Sequence, residues 1–373
     1  MTRKVTTFQF FSLLYICSVV ASFMFVSTTV IDLGSTDAIL YPLVFGILSI
    51  ITIIPTFAFN KKSKGESVLS ATRKRNKYFS DFVALSYIVL VFILLLRTLA
   101  RLDLFVSSEV FPENTMTFLI VSIVIVSVFL SLLDIGALSR ASTIFLIMVT
   151  LSVTVVITSA FSNIETVNIV PLFMNGETEF IKQALAYAVF FPESACLILF
   201  LSNIKGNIKK GYYLYILLLV LSLTIVSFTV VGALGEFSNT QLFPAFAISS
   251  VGEFRVLERF ESIQSSVWTV CIIAKTTLQI MIISNCIRHL FPKIKWWTPN
   301  ALTGIVATAF IIYISNGVTR FSFLSSQLWV TISYILLVVA LPCISLLAIL
   351  KKKRGRKTCL KKYYFSFLCC LYF

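Results

Sequence analysis

Apolar residues run along this chain in ten long blocks, at 8–31, 38–59, 81–106, 117–133, 141–161, 182–201, 212–235, 262–290, 301–315 and 327–350. Short polar, basic or proline-bearing segments separate them. A helix needs about 20 such residues to cross a hydrocarbon core roughly 30 Å thick. Within that core the backbone must satisfy its own hydrogen bonds. The pattern therefore predicts an all-α polytopic membrane protein with ten transmembrane helices. The short alternating segments of a transmembrane barrel are absent. The first block is longer than a signal-peptide core and lacks a cleavage site, so no cleavable signal is expected.

Polar residues inside the blocks are few, which makes each one informative. Lys275 lies about 18 Å along its helix from Ile263, near the middle of the slab. It shares a three-four spacing with Glu261, Ser265, Trp268 and Gln279, and hence one helix face. A charge at that depth faces a bundle interior or a wet cavity. The third block carries Arg97 and Arg101 on one face; Arg97 is deep, whereas Arg101 is expected to snorkel outward. Asp103 is off that face and reads as interfacial.

The sixth block reads LAYAVFFPESACLILFLS. Pro192 removes a helical hydrogen bond at mid-block, and Glu193 and Ser194 follow it. The pattern predicts an interruption at 191–194 and a second half-helix whose N-terminal end could take a ligand carboxylate. An ordinary proline kink, with Glu193 paired to Lys275 or Arg97, is the other reading. Cys17, Ser18, Ala21 and Ser22 near the centre of the first block fit either close helix packing or a ligand-facing role. The outer loop 236–261 holds Pro244 and a mildly apolar stretch that could fold as a lid helix. In it Glu258, Arg259 and Glu261 read as a gate or as a solvated helix start.

Charge fixes an orientation. With the N-terminus inside, the inside segments hold 24 of the 31 Lys and Arg, and the outside segments hold four. Both termini are thus expected in the cytoplasm. The net charge of +15 becomes attraction to anionic membrane lipid, not to nucleic acid. Five blocks on either side of the midpoint have opposite orientation, as an inverted repeat over 8–161 and 182–350 requires. The third and eighth blocks are both long, and each carries a cation within the slab, Arg97 and Lys275. The two longest loops, 60–80 and 236–261, fall at corresponding places. The transmembrane domain spans 1–350. The tail 351–373 is basic and then aromatic, suited to the inner surface, with Cys369 and Cys370 open to acylation.

The eight cysteines, Cys17, Cys196, Cys271, Cys286, Cys343, Cys359, Cys369 and Cys370, avoid the outside loops, so no structural disulfide is expected. No metal-ligand spacing is present and no cofactor is called for. With His289 the single histidine, no Ser/His or His/Asp grouping is evident, and an enzyme is disfavoured.

The run Glu258-Arg259-Phe260-Glu261-Ser262-Ile263, followed by Trp268 and Lys275, resembles a signature of the spore germination permeases. These are the B subunits of germinant receptors in endospore-forming bacteria. Val5-Thr6-Thr7-Phe8-Gln9 resembles the family's opening, Asn168-Ile169-Val170-Pro171 its outer loop, and Phe191-Pro192-Glu193 its sixth-span break. The likeness covers Val5 to about Leu350. It implies the five-plus-five amino acid permease fold of the amino acid–polyamine–organocation superfamily. It implies a small germinant, usually an amino acid, held between the first, third, sixth and eighth spans. The candidate ligand residues are then Ser18, Ser22, Arg97, Phe191, Pro192, Glu193, Ser194, Trp268 and Lys275. It also implies assembly with A and C subunits in the spore inner membrane. The first block lacks the glycine with which such permeases unwind that span. A secondary amino-acid transporter of the same fold is the alternative.

Overall fold

The computed structural model describes residues 4–24, 35–110, 116–170, 172–173, 176–251, 260–315 and 326–350. The tail 351–373, with its cysteines, lies outside the described residues, as do Glu258 and Arg259.

The described chain is almost wholly helical. The helices are α1 (Thr7–Met24), α2 (Tyr41–Thr52), α3 (Ile54–Ser63), α4 (Val68–Arg73), α5 (Lys77–Phe105), α6 (Met116–Ser131), α7 (Ile135–Ala160) and α8 (Glu177–Ala188). They continue as α9 (Leu197–Phe200), α10 (Ile208–Leu234), α11 (Pro244–Val251), α12 (Phe260–Leu290), α13 (Thr298–Ser315), α14 (Gln327–Tyr334) and α15 (Leu341–Leu350). A π-helical segment, Ile335–Ala340, joins the last two.

Among the described residues, six stretches are long and apolar enough to cross a membrane. They are Tyr41–Ser63, Lys77–Ser108, Ile135–Val155, Ile208–Thr240, Gln264–Leu290 and Gln327–Leu350. A seventh arises if Glu177–Ala188 and Pro192–Asn203, bent by 43°, form one broken span. Shorter apolar helices occupy Thr7–Val20, Phe118–Ser131 and Thr298–Ile314. Each expected apolar block overlaps one of these segments, and the end of the first, 25–31, lies outside the described residues. Large exposed apolar side chains such as Ile47, Leu85, Phe129, Ile147, Leu217 and Ile305 lie on the helix exteriors, as a bilayer solvent requires.

Local chemistry sets the helix ends. The side chains of Asn76, Asp134 and Asn207 accept from the backbone N–H of Tyr78, Ala137 and Lys210. They cap α5, α7 and α10 and satisfy donors that the first turn leaves open. Gly235 ends α10 at a φ of 53°, a left-handed geometry that glycine reaches without strain. Hydroxyls within the spans bond back to the preceding turn, as Ser12 does to Phe8 O and Thr303 to Pro299 O. Such bonds remove polar groups from apolar surroundings.

The long helix α12 forms the centre of the bundle. It packs along α5, α6, α7, α13 and α1, and nearly every residue from Ala274 to Ser284 is buried. The single polar face expected for this helix is therefore not single. Gln264, Thr276, Thr277 and Ser284 are buried as well as Trp268, Lys275 and Gln279, because partners enclose the helix on all sides. A short parallel pairing of Val5–Thr6 with Ile204–Lys205 ties the start of the chain to the end of the broken span. Both long loops hold a short helix, α4 in 60–80 and α11 in 236–261.

Candidate functional site

The break in the sixth span is present, and its form differs from the expected half-helix. α8 ends at Ala188. Phe191 then takes φ −113° and ψ 64°, outside helical geometry, and Pro192 has no N–H to continue the ladder. Beyond it the chain winds as a 3-10 helix over Pro192–Cys196, one α-turn over Leu197–Phe200, and a second 3-10 turn over Leu201–Asn203. The second half, Pro192–Asn203, is therefore wound mostly as 3-10 helix and not as α-helix.

At the break stands a buried ion pair. Lys275 Nζ of α12 lies 2.5 Å from Glu193 Oε1, and their side chains are 7% and 6% exposed. The ammonium also donates to the carbonyl of Cys17 in α1, at 3.3 Å. Ser18 Oγ lies 3.5 Å from Glu193 Oε2 and 2.8 Å from the hydroxyl of Tyr215 in α10. One carboxylate and one ammonium thus join three elements and, through Ser18, a fourth. Burial of two charges is tolerated only when geometry and added hydrogen bonds compensate desolvation. α1 is helical from Thr7 to Met24, in keeping with its lack of glycine. It contributes the Cys17 carbonyl and the Ser18 hydroxyl to the cluster.

The pair opens onto a cavity of about 40 Å³, room for a few waters. Arg97, Pro192, Glu193 and Lys275 line it, with Cys17, Tyr87, Thr98, Phe190 and Gln279 among the other walls. The guanidinium of Arg97 sits 4.6 Å from the centre of the Phe190 ring, within cation–π range. Gln279 Nε2 donates to Thr98 Oγ1 at 3.2 Å. Two buried polar atoms on the wall, the hydroxyl of Tyr87 and Oε1 of Gln279, have no hydrogen-bond partner among the described residues. Such groups cost about 1–3 kcal/mol when left unmade, so they favour a hydrogen-bonding occupant.

Other candidate residues are placed elsewhere. Ser18 stands behind Glu193. Phe191 and Ser194 are buried but do not line the cavity; Phe191 packs on Phe45 and Tyr187 at 4.5 and 5.3 Å between ring centres. Trp268 belongs to an aromatic plug. Phe105 meets Phe243 and Phe246 edge-on at 5.2 Å, and Trp268 lies 5.6 Å from both Phe105 and Phe246. Phe243 and Phe246 belong to the lid segment, whose helix α11 is where the apolar stretch of the loop placed it. Arg101 does not snorkel: it is 5% exposed. It sits one turn before Phe105 on the same α5 face, and Phe243 and Phe246 pack on Phe105. The side chains of Ser22 and Glu261 lie outside the described residues, as do Glu258 and Arg259 altogether.

Three participants had not been singled out from sequence. Tyr87 and Thr98, with Val91 and Leu94, follow the spacing of one α5 face, a signal masked by the two arginines nearby. Tyr215 had no local signal, because its contact spans 197 residues of chain. The structure also joins Ser80 Oγ to His289 Nε2 at 2.8 Å, a Ser/His grouping that the sequence had not revealed. Asp81 reaches the same imidazole nitrogen at 3.9 Å, and Ser80 Oγ donates to Leu69 O. With the carboxylate and hydroxyl on one nitrogen, there is no relay of the hydrolase kind.

A family model described as spore germination protein, the spore permease family, matches residues 4–319. The chain belongs to the spore germination permease family. The match takes in the broken span, both charges of the ion pair and the lid, so this family's membrane domain is the frame for the site. No curated protein matches the chain at a significant level. Family membership and the apolar helices together make this a multi-pass membrane protein of spore germination.

Proposed function

We propose that the chain is the membrane subunit of a germinant receptor, binding a small amino acid in the cavity beside Glu193 and Lys275. The observation that carries this reading is the convergence of both charges of the ion pair and two unsatisfied polar atoms on one small cavity at a broken span. A zwitterion matches that wall. Its ammonium faces Glu193, its carboxylate faces Lys275 and Arg97, and Tyr87 and Gln279 supply directional hydrogen bonds. Phe190 and Leu278 give apolar contact. A sugar would need more hydrogen-bonding side chains, and a nucleotide a cluster of cations.

The frame of the proposal is ten spans in a five-plus-five inverted repeat. The broken pair and the three shorter apolar helices count as spans beside the six long ones. The correspondence of α4 with α11, and of Arg97 on α5 with Lys275 on α12, supports it. Both termini face the cytoplasm, which in the spore is the core side of the inner membrane. A- and C-type subunits complete the receptor and carry the signal.

The test is a thermal-shift and binding screen of the purified protein, alone and with its partner subunits, against amino acids, hexoses and nucleosides. Saturable stabilisation by an amino acid, lost in Glu193→Gln, is the expected result. Binding of a hexose or nucleoside with no amino-acid response overturns the assignment. Accumulation of a labelled amino acid in liposomes by the single subunit would instead favour transport.

A further inference from the structure

A second cavity lies outside the central site, between α1, α7 and α10. It is a groove of about 210 Å³. Its sides are Phe8, Phe11, Leu146, Leu214 and Leu218, and its floor includes Tyr15 and Tyr215. Phe8, Leu214 and Leu218 are 53%, 48% and 41% exposed, so the groove opens on the outward side of the bundle, where the hydrocarbon lies. One end is different in kind. There the wall is Thr7, Asn207 and Lys210. Lys205 and Lys209 stand close by in sequence, and no acidic residue occurs between Glu193 and Glu236.

From this layout we propose that the groove is a binding site for one anionic phospholipid. The acyl chain lies between α1 and α10, and the phosphate sits against Lys210 and Asn207. From Lys210 to Leu218 the helix rises about 12 Å. That fits within one leaflet of a hydrocarbon core about 30 Å thick. Charge complementarity selects an anionic headgroup, because the polar end carries Lys210 and the lining holds no acidic residue. The lysine end is also the end that the positive-inside bias assigns to the cytoplasmic leaflet. The site goes beyond the germinant reading and does not depend on it. It adjoins the central cluster through Tyr215, whose ring floors the groove while its hydroxyl lies 2.8 Å from Ser18. A bound chain therefore presses on a side chain that helps to position Glu193.

The test is native mass spectrometry of the delipidated full-length protein, titrated separately with dioleoyl phosphatidylglycerol, dioleoyl phosphatidylcholine and oleate. Phosphatidylglycerol should be retained at least about fivefold better than phosphatidylcholine, the factor that one lysine contributes near a phosphate. Lys210→Glu should bring phosphatidylglycerol down to the phosphatidylcholine level, and Leu218→Trp should reduce both by filling the groove. Lys210 is exposed, so its variant carries the test even if the tryptophan variant fails to fold. Lys293→Glu/Lys295→Glu, an exposed basic pair in the loop between α12 and α13 that does not line the groove, should leave retention unchanged. Equal retention of the two phospholipids, retention unaffected by Lys210→Glu, or competition by oleate at equal concentration would each overturn the assignment.

Discussion

The ammonium of Lys275 and the carboxylate of Glu193 meet at 2.5 Å although 82 residues separate them in the chain. Each is the other's charge partner inside the bundle. Removing one partner leaves an uncompensated charge, at a cost of about 3–5 kcal/mol. Lys275→Met and Glu193→Gln should therefore each lower the unfolding midpoint sharply in detergent. The double variant should recover most of that loss and still fail to respond to germinant. Additive losses in the double variant would show that the two groups do not act as a pair.

Tyr87→Phe separates binding from folding. Its hydroxyl is buried without a hydrogen-bond partner among the described residues, so its removal should leave stability unchanged or slightly raised. Ligand affinity should fall by about 0.5–1.5 kcal/mol, the net worth of one hydrogen bond. Calorimetry with the amino acid found in the screen reads both effects. A drop in stability with unchanged affinity would place the hydroxyl outside the ligand site.

The lid is expected to control access. Phe246 contacts both Phe105 and Trp268, and aromatic pairs contribute about 0.5–1.5 kcal/mol each. Phe246→Ala should loosen the plug and expose the cavity wall. In a variant retaining only Cys196, which lines the cavity, a charged thiol reagent added from the lid side should react about fivefold faster or more. An unchanged rate would mean that the plug does not bar the path.

Helix contact is predicted to depend on Gly304. A Cβ built there overlaps a methyl of Val128 on α6, so α13 and α6 meet where only hydrogen fits. Gly304→Ala should destabilise by about 1–3 kcal/mol through overpacking. Adding Val128→Ala should return much of it. Thermal unfolding of the two variants decides the matter, and no rescue would mean that the strain spreads beyond this contact.

Sequence made the apolar blocks, the proline break and the depth of Lys275 legible, because each is a local property: hydropathy, one missing N–H, one charge in a long apolar run. It left open whether Glu193 pairs with Lys275 or Arg97, since that choice depends on how α12 and the broken span approach. Arg101 was misread for the same reason. Its burial, at 5% exposure, comes from packing between helices and not from its place along α5. The winding of the second half of the broken span is a subtler case. Proline predicts a break, but it does not say whether the chain resumes in α or 3-10 winding.

The wall around Glu193 has a further property. The 3-10 segment Pro192–Cys196 packs against the π-helical segment Ile335–Ala340, and both contribute to the cavity, through Pro192, Glu193 and Leu337. One is overwound relative to an α-helix and the other underwound. A one-residue change of hydrogen-bond partner in either segment re-aims the side chains beyond it while the backbone remains bonded. Two such segments side by side act as a slip joint, with thread to take up on one side and to give on the other. The pocket can thus change shape around an occupant while the long helices of the bundle stay where they are.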